Sequence, residues 1–217
     1  TEIYTLSLHD ALPISMPRIR TLWEEKYGRP SGETDIDSLY QMFEGKLMSI
    51  LENFTDIKPG VLETVKILRE KGISIGSTTG YTDGMMEIVV KKAEEHGYKP
   101  DAWFSPDSTN KLGRPYPYMI YRNMEAFAVS SADGVVKVGD TVSDIKEGKS
   151  AGVFSIGIIE GSSEMGLSRE EYDSLTGEEK SRRAVLVTAK YAEAGADAVI
   201  HNMWDLIPLL KNIFIIE

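Results

Sequence analysis

The sequence predicts an α/β fold: a doubly wound parallel sheet with helices on both faces, preceded by a partial helical unit. Three observations carry that expectation. After residue 60, short apolar strands alternate with amphipathic helices, the order that builds a parallel sheet. Polar residues collect just after three of those strands, where open α/β sheets bind their ligands. Before residue 58 the hydrophobic pattern is helical.

Residues 1–15, TEIYTLSLHDALPIS, differ in character from the rest and are expected to be a foreign leader, joined at Ser15 to a native sequence beginning Met16-Pro17-Arg18. As a strand, residues 3–8 would put Asp10 near a strand end, but nothing after Asp10 supports a catalytic place for it. Residues 16–58 form the partial helical unit. Residues 17–27 and 35–54 are helical, the second with Leu39, Met42, Phe43, Leu47, Ile50 and Leu51 at spacings of three and four, and Gly28, Pro30 and Gly32 turn the chain between them. Lys58-Pro59-Gly60 marks the boundary, and residues 59–217 make the core domain.

In the core, residues 61–71 form a helix closed by Gly72, and residues 73–77 a strand that runs into Thr78, Thr79, Gly80, Tyr81 and Thr82. A helix follows to about His96, then a strand at 102–104 and a polar loop that ends Gly113-Arg114-Pro115-Tyr116-Pro117. Residues 116–127 are the next helix. Val135, Val136 and Val138 suit a buried parallel strand, which stops at Gly139-Asp140 and leads through Thr141, Val142, Ser143 and Asp144 into a helix over 145–151, ended by Gly152. Residues 153–159 are a strand, 168–180 an exposed helix and loop excursion, 183–194 a helix stopped by Gly195, 198–200 a strand and 203–210 the last helix. The apolar run at 213–216 has no assigned role.

Composition narrows the function. Thirty-four acidic against 24 basic residues leave a formal charge of −10, which argues against nucleic acid as a partner. With no cysteine, disulfides and thiolate chemistry are excluded and a reducing cytoplasm is the simplest compartment. No apolar run approaches the roughly 20 residues of a spanning helix, so no membrane is expected as a partner. The N-terminus lacks the basic and apolar blocks of a secretory signal.

Three strand ends carry chemistry. Asp140 and Asp144 flank one strand-to-helix turn and suit a hard cation, although residues of this type also serve as helix N-caps. Thr79 and Gly80 open a helix and offer an anion cradle, or a capped turn. Arg114, held between Gly113 and Pro115, is presented to a site or solvated at the surface.

A hydroxyl loop, a cation and an acidic pair of the GDxxxD kind, in this order, resemble the later motifs of the haloacid dehalogenase superfamily. The segments IGSTTGYT from Ile75, GYKPD from Gly97, GRPYP from Gly113, KVGDTVSDIKEG from Lys137 and GSSEMGL from Gly161 resemble more closely the phosphonoacetaldehyde hydrolases, over residues 16 to about 210. That resemblance implies hydrolysis of the P–C bond of phosphonoacetaldehyde to acetaldehyde and phosphate, through an aspartyl phosphate and a lysine imine. It implies Mg²⁺ at Asp140 with Asp144 in or beside its shell, phosphoryl contacts from Thr79 and the Gly80 N–H, charge neutralisation by Arg114, and Tyr81 lining the pocket. It also implies a small phosphonate substrate and a homodimer formed through the helical unit.

The family's nucleophilic aspartate and imine-forming lysine would precede Met16, and none of Lys26, Lys46 and Lys58 stands in that lysine's motif. The chain is therefore expected to be N-terminally truncated, to turn over little, and to lack the central first strand unless residues 3–8 fill its place. Two alternatives stay open: a phosphatase or phosphomutase of the same superfamily acting on a P–O ester, and a non-catalytic phosphate-binding remnant.

Overall fold

The structure, a computed structural model, describes residues 2–3 and 16–213. The expectations that fall on Asp10, on residues 4–8 and on the apolar run after Ile213 lie outside the described residues. Six parallel strands, β1 (Glu2–Ile3), β2 (Gly76–Thr78), β3 (Ala102–Phe104), β4 (Val136–Gly139), β5 (Phe154–Ile158) and β6 (Ala198–Ile200), form one sheet in the order β3-β2-β1-β4-β5-β6. The central place, expected to be empty unless residues 3–8 filled it, is taken by Glu2–Ile3, so the described sheet does not lack a central strand; Glu2 lies opposite both Gly76 and Lys137. This pairing gives the inner edges of β2 and β4 backbone partners that they would otherwise lack.

Period-2 alternation sends the two faces of the sheet to different partners. Val136, Val138, Ile156 and Ile158 face α3 (Val61–Glu70) and α9 (Leu206–Ile213), packing with Val61, Val65, Leu68, Leu206 and Leu210 into the main core. The other face carries Thr78, Lys137, Ser155 and Gly157 toward α6 (Val142–Ala151) and α8 (Gly177–Glu193). Close packing on this face depends on glycine: a Cβ at Gly148 would lie 2.2 Å from Ser155 Oγ, and one at Gly157 would lie 2.4 Å from the Tyr191 ring.

Several bounds differ from expectation for local reasons. Residues 73–75 lead into β2 rather than belonging to it, because the Ile73 N–H is taken by Leu68 O and the Ile75 N–H by Asp101 Oδ2. Helix α8 starts at Gly177, ahead of the expected 183, because Thr176 and Glu179 form a capping box. The helix expected within 168–180 is α7 (Arg169–Ser174), but its Tyr172 is buried against Ile145, Val187 and Tyr191 rather than exposed.

The helical unit comprises α1 (Met16–Tyr27), α2 (Glu33–Ile50) and a 3₁₀ turn, Leu51–Phe54. It is seated on α4 (Asp83–Glu95): Leu47 and Leu51, with Phe43 and Met48 beside them, pack against Tyr81, Met85, Met86 and Val89. The unit thus covers the turn between β2 and α4, where the hydroxyl-rich segment lies. No helix among the described residues is long and apolar enough to cross a membrane.

Candidate functional site

The β2–α4 turn is built by its own side chains. Thr79 Oγ1 accepts from the Tyr81 N–H at 3.1 Å, and Thr82 caps α4 by accepting from the Met85 N–H at 3.4 Å. The Thr79 hydroxyl therefore keeps its proton to donate at a buried strand end. Tyr81 is also buried, and its hydroxyl has no hydrogen-bond partner among the described residues. Burial pushes that phenol above its ordinary range, with Arg114 acting to lower it and Asp140 to raise it. A dry, unpartnered hydroxyl that senses both charges is poised for a ligand group.

At the end of β4, Gly139 makes room for the acids: a Cβ there would lie 2.1 Å from Asp144 Cβ. Thr141 caps α6, accepting from the Asp144 N–H at 3.1 Å, while Asp144 Oδ2 accepts from the Thr141 N–H at 3.2 Å and hydroxyl at 2.6 Å. The capping alternative is thus realised at Thr141, with Asp144 completing the box from the third helical position, but that is only part of the Asp144 role. Its other oxygen, Oδ1, lies 2.5 Å from Arg114 Nη1 and 3.2 Å from Lys137 Nζ. Burial drives the Asp144 carboxyl up, but Arg114, Lys137 and the Thr141 hydroxyl outweigh it and hold it down at about 2.

Lys137 extends this group inward. Fully buried, it donates to Thr78 Oγ1 at 2.9 Å and pairs with Glu147 Oε2 at 3.0 Å, and Thr78 Oγ1 donates to Glu147 Oε2 at 2.8 Å. One buried lysine therefore ties the strand residue before Thr79 to the acid that holds Arg114. A lysine inside a valine run was a usable signal that the motif-based reading passed over, because a buried strand has no other reason to carry one.

Asp140 is arranged differently. Its Oδ2 accepts from Lys58 Nζ at 3.0 Å, and the same ammonium donates to Gly161 O at 2.7 Å. Lys58 comes from the connection between the helical unit and α3, so nothing near Asp140 in sequence pointed to it. Glu164, in the loop after β5, accepts from the Val142 N–H at 3.2 Å and pairs with Lys190 at 2.8 Å, adding a second acid to the α6 N-terminus.

The structure thus brings Arg114, Asp144 and Lys137 into one ionic group, with Thr79 following directly on its Thr78 member. Asp140 stands beside that group with its own cation. Among the described residues no cluster of three or more acidic, histidine or cysteine side chains could hold a metal. Mg²⁺ commonly uses only one or two carboxylates, completed by water and substrate phosphate. Asp140 suits that role, since it and a carbonyl already converge as hard oxygen donors on a cation, whereas both Asp144 oxygens are committed. A cavity of about 460 Å³ opens beside Asp140, lined by residues including Lys58, Glu160, Arg169, Tyr172 and Trp204.

Comparison with known proteins identifies the family. Residues 14–152 match the family described as haloacid dehalogenase-like hydrolase. A phosphonoacetaldehyde hydrolase of Lysinibacillus sphaericus is 48% identical over 204 residues, spanning 94% of this chain and 76% of the relative. One from Parabacteroides distasonis is 46% identical over 200 residues, spanning 92% and 75%. Among solved structures, a phosphonoacetaldehyde hydrolase-like protein of Oleispira antarctica superposes with a TM-score of 0.81 at 31% identity, covering 91% of this chain and 71% of that one.

Proposed function

Because the chain belongs to the phosphonoacetaldehyde hydrolases, within the haloacid dehalogenase-like hydrolases, we propose that its site binds the phosphonate of phosphonoacetaldehyde at the ends of β2 and β4 for cleavage of the P–C bond. The observation that carries this is the convergence on one strand-end surface of a donor hydroxyl, Thr79, an orphaned buried hydroxyl, Tyr81, and a cation, Arg114, fixed by Asp144. Thr79 and the Gly80 N–H hold phosphoryl oxygens. Arg114, prevented by Asp144 from swinging into solvent, faces the charge that builds on phosphorus. Asp140 would hold Mg²⁺, with Asp144 beside that shell; the ion would neutralise charge on the phosphoryl oxygens and so lessen their repulsion of an anionic nucleophile. Tyr81 lines the pocket beneath the helical unit and excludes water from it.

The nucleophilic aspartate and the imine-forming lysine of the family are assigned to no described residue, and both carboxylates at the end of β4 are engaged in ion pairs. The organisation we propose is a helical unit at 16–58 and a core at 59–217 whose sheet also takes in Glu2–Ile3. We propose a cytoplasmic location, a reading that the cysteine-free composition favours. The exposed apolar residues Leu39, Met42 and Ile50 of α2 favour a homodimer through the helical unit.

Calorimetric titration with phosphonoacetaldehyde in Mg²⁺ tests the assignment. Binding that weakens by about tenfold or more in Thr79→Ala and in Arg114→Ala is expected, as befits a lost charge-assisted hydrogen bond. Tighter binding of sugar phosphates than of phosphonoacetaldehyde would turn the assignment to P–O esters. Sustained Mg²⁺-dependent acetaldehyde release would overturn the expectation of low turnover.

A further inference from the structure

Lys58 pairs with Asp140 from 82 positions away in the chain. Its side chain is 14% exposed and that of Asp140 16%, so this is not a solvated surface pair whose partners exchange freely with water. The backbone behind it is firmly set. Gly60 has φ of +81°, and a Cβ there would lie 2.9 Å from the Trp204 ring, so the connection is pressed against the core where Lys58 leaves it. A second bond to Gly161 O at 2.7 Å fixes the ammonium between two oxygen donors.

That position has a chemical consequence for the ion assigned to Asp140. Mg²⁺ binds carboxylate oxygen at about 2.1 Å and prefers near-octahedral geometry. An ammonium 3.0 Å from the same carboxylate would stand within a few ångströms of a divalent ion, and the two cations repel. We propose that Lys58 is a built-in competitor for Asp140, which sets the affinity of the site for Mg²⁺ and withdraws when the ion binds. This rests on the assignment of Mg²⁺ to Asp140 made above. The 460 Å³ cavity that Lys58 lines gives its stem room to withdraw without unpacking the core, and Asp56 and Glu160 in the same lining offer it replacement counter-charges. Since Lys58 lies on the connection between α2 and α3, its release also loosens the tie between the helical unit and the β4 strand end.

Isothermal titration of the full chain with Mg²⁺ tests this directly, with no turnover required. Lys58→Gln is expected to bind Mg²⁺ about tenfold more tightly than the unsubstituted chain, the scale of one charge-assisted hydrogen bond. Lys58→Arg, which keeps the competing charge, is expected to stay within about threefold of it. Lys58→Met is a second neutral variant should Lys58→Gln fail to fold. Affinity in the neutral variants that is unchanged or weaker would overturn the inference. If Asp140→Asn takes up Mg²⁺ as the unsubstituted chain does, the ion lies elsewhere and the metal assignment itself falls, carrying the competition with it.

Discussion

Lys137→Met tests whether the ionic group beneath the site behaves as one unit. Lys137, Asp144 and Glu147 have no side-chain exposure, and Arg114 is largely buried beside them, so two cations and two carboxylates share a dry space. Methionine keeps much of the stem volume, and Gly148 continues to accommodate it, so little cavity penalty is expected. The charge balance does change: Glu147 loses its cation while one of its oxygens, Oε1, already lacks a hydrogen-bond partner among the described residues. Removing one partner of a buried pair costs about 3–5 kcal/mol, because the remaining charge stays desolvated. Glu147→Gln in the Lys137→Met background restores neutrality and is expected to recover about half of that loss, since a neutral amide has a smaller desolvation cost. Urea unfolding of the four proteins of this cycle at pH 7, compared at constant m, measures both quantities. The same variant removes one positive charge from beneath the site, so inorganic phosphate should bind about tenfold more weakly. A stability loss below about 1 kcal/mol, or a double variant whose loss equals the sum of the singles, would refute the picture of one coupled group.

Gly139→Ala places a methyl where Asp144 Cβ already stands, 2.1 Å from the added atom, so it should cost about 1–3 kcal/mol of stability and displace Arg114, measured as a fall in melting temperature together with lost phosphate binding. Tyr81→Phe removes a buried hydroxyl without a partner among the described residues, so the ligand-free protein is expected to be unchanged or up to about 1 kcal/mol more stable while phosphonoacetaldehyde binds less tightly; a melt and a titration moving the same way would contradict this. Met42→Asp puts a charge on the most exposed apolar side chain of α2, 72% accessible, and is expected to shift the chain from dimer to monomer in sedimentation equilibrium, whereas a monomer before substitution would dismiss the dimer.

Legibility followed the range of each interaction. The strand-end positions of Thr79, Asp140 and Asp144 were readable because each lies within a few residues of the strand that presents it, and Thr141 and Thr82 cap helices through neighbours three residues on. The family wording around Gly97 and Gly161 added substrate class, which no local pattern supplied. Helix α8 and the burial of Tyr172 were misjudged because acidic residues at 170–179 looked like a solvated run, while some of them cap helices and one face packs inward. Glu147 was also open to a closer look, since it lies three residues after Asp144 and so shares its face of α6.

By itself, the sequence determined the alternation of strands and helices, the polarity of the strand ends and the side chains offered there, because periodicity and capping are set by neighbours along the chain. Only the tertiary structure decided how the charges are matched. Asp144 and Asp140 are four residues apart on one turn, yet one is locked by Arg114 and Lys137 and the other is held by Lys58. That division depends on which distant cations burial brings within about 3 Å, since in a low-dielectric interior a charge at that distance outweighs everything farther along the chain.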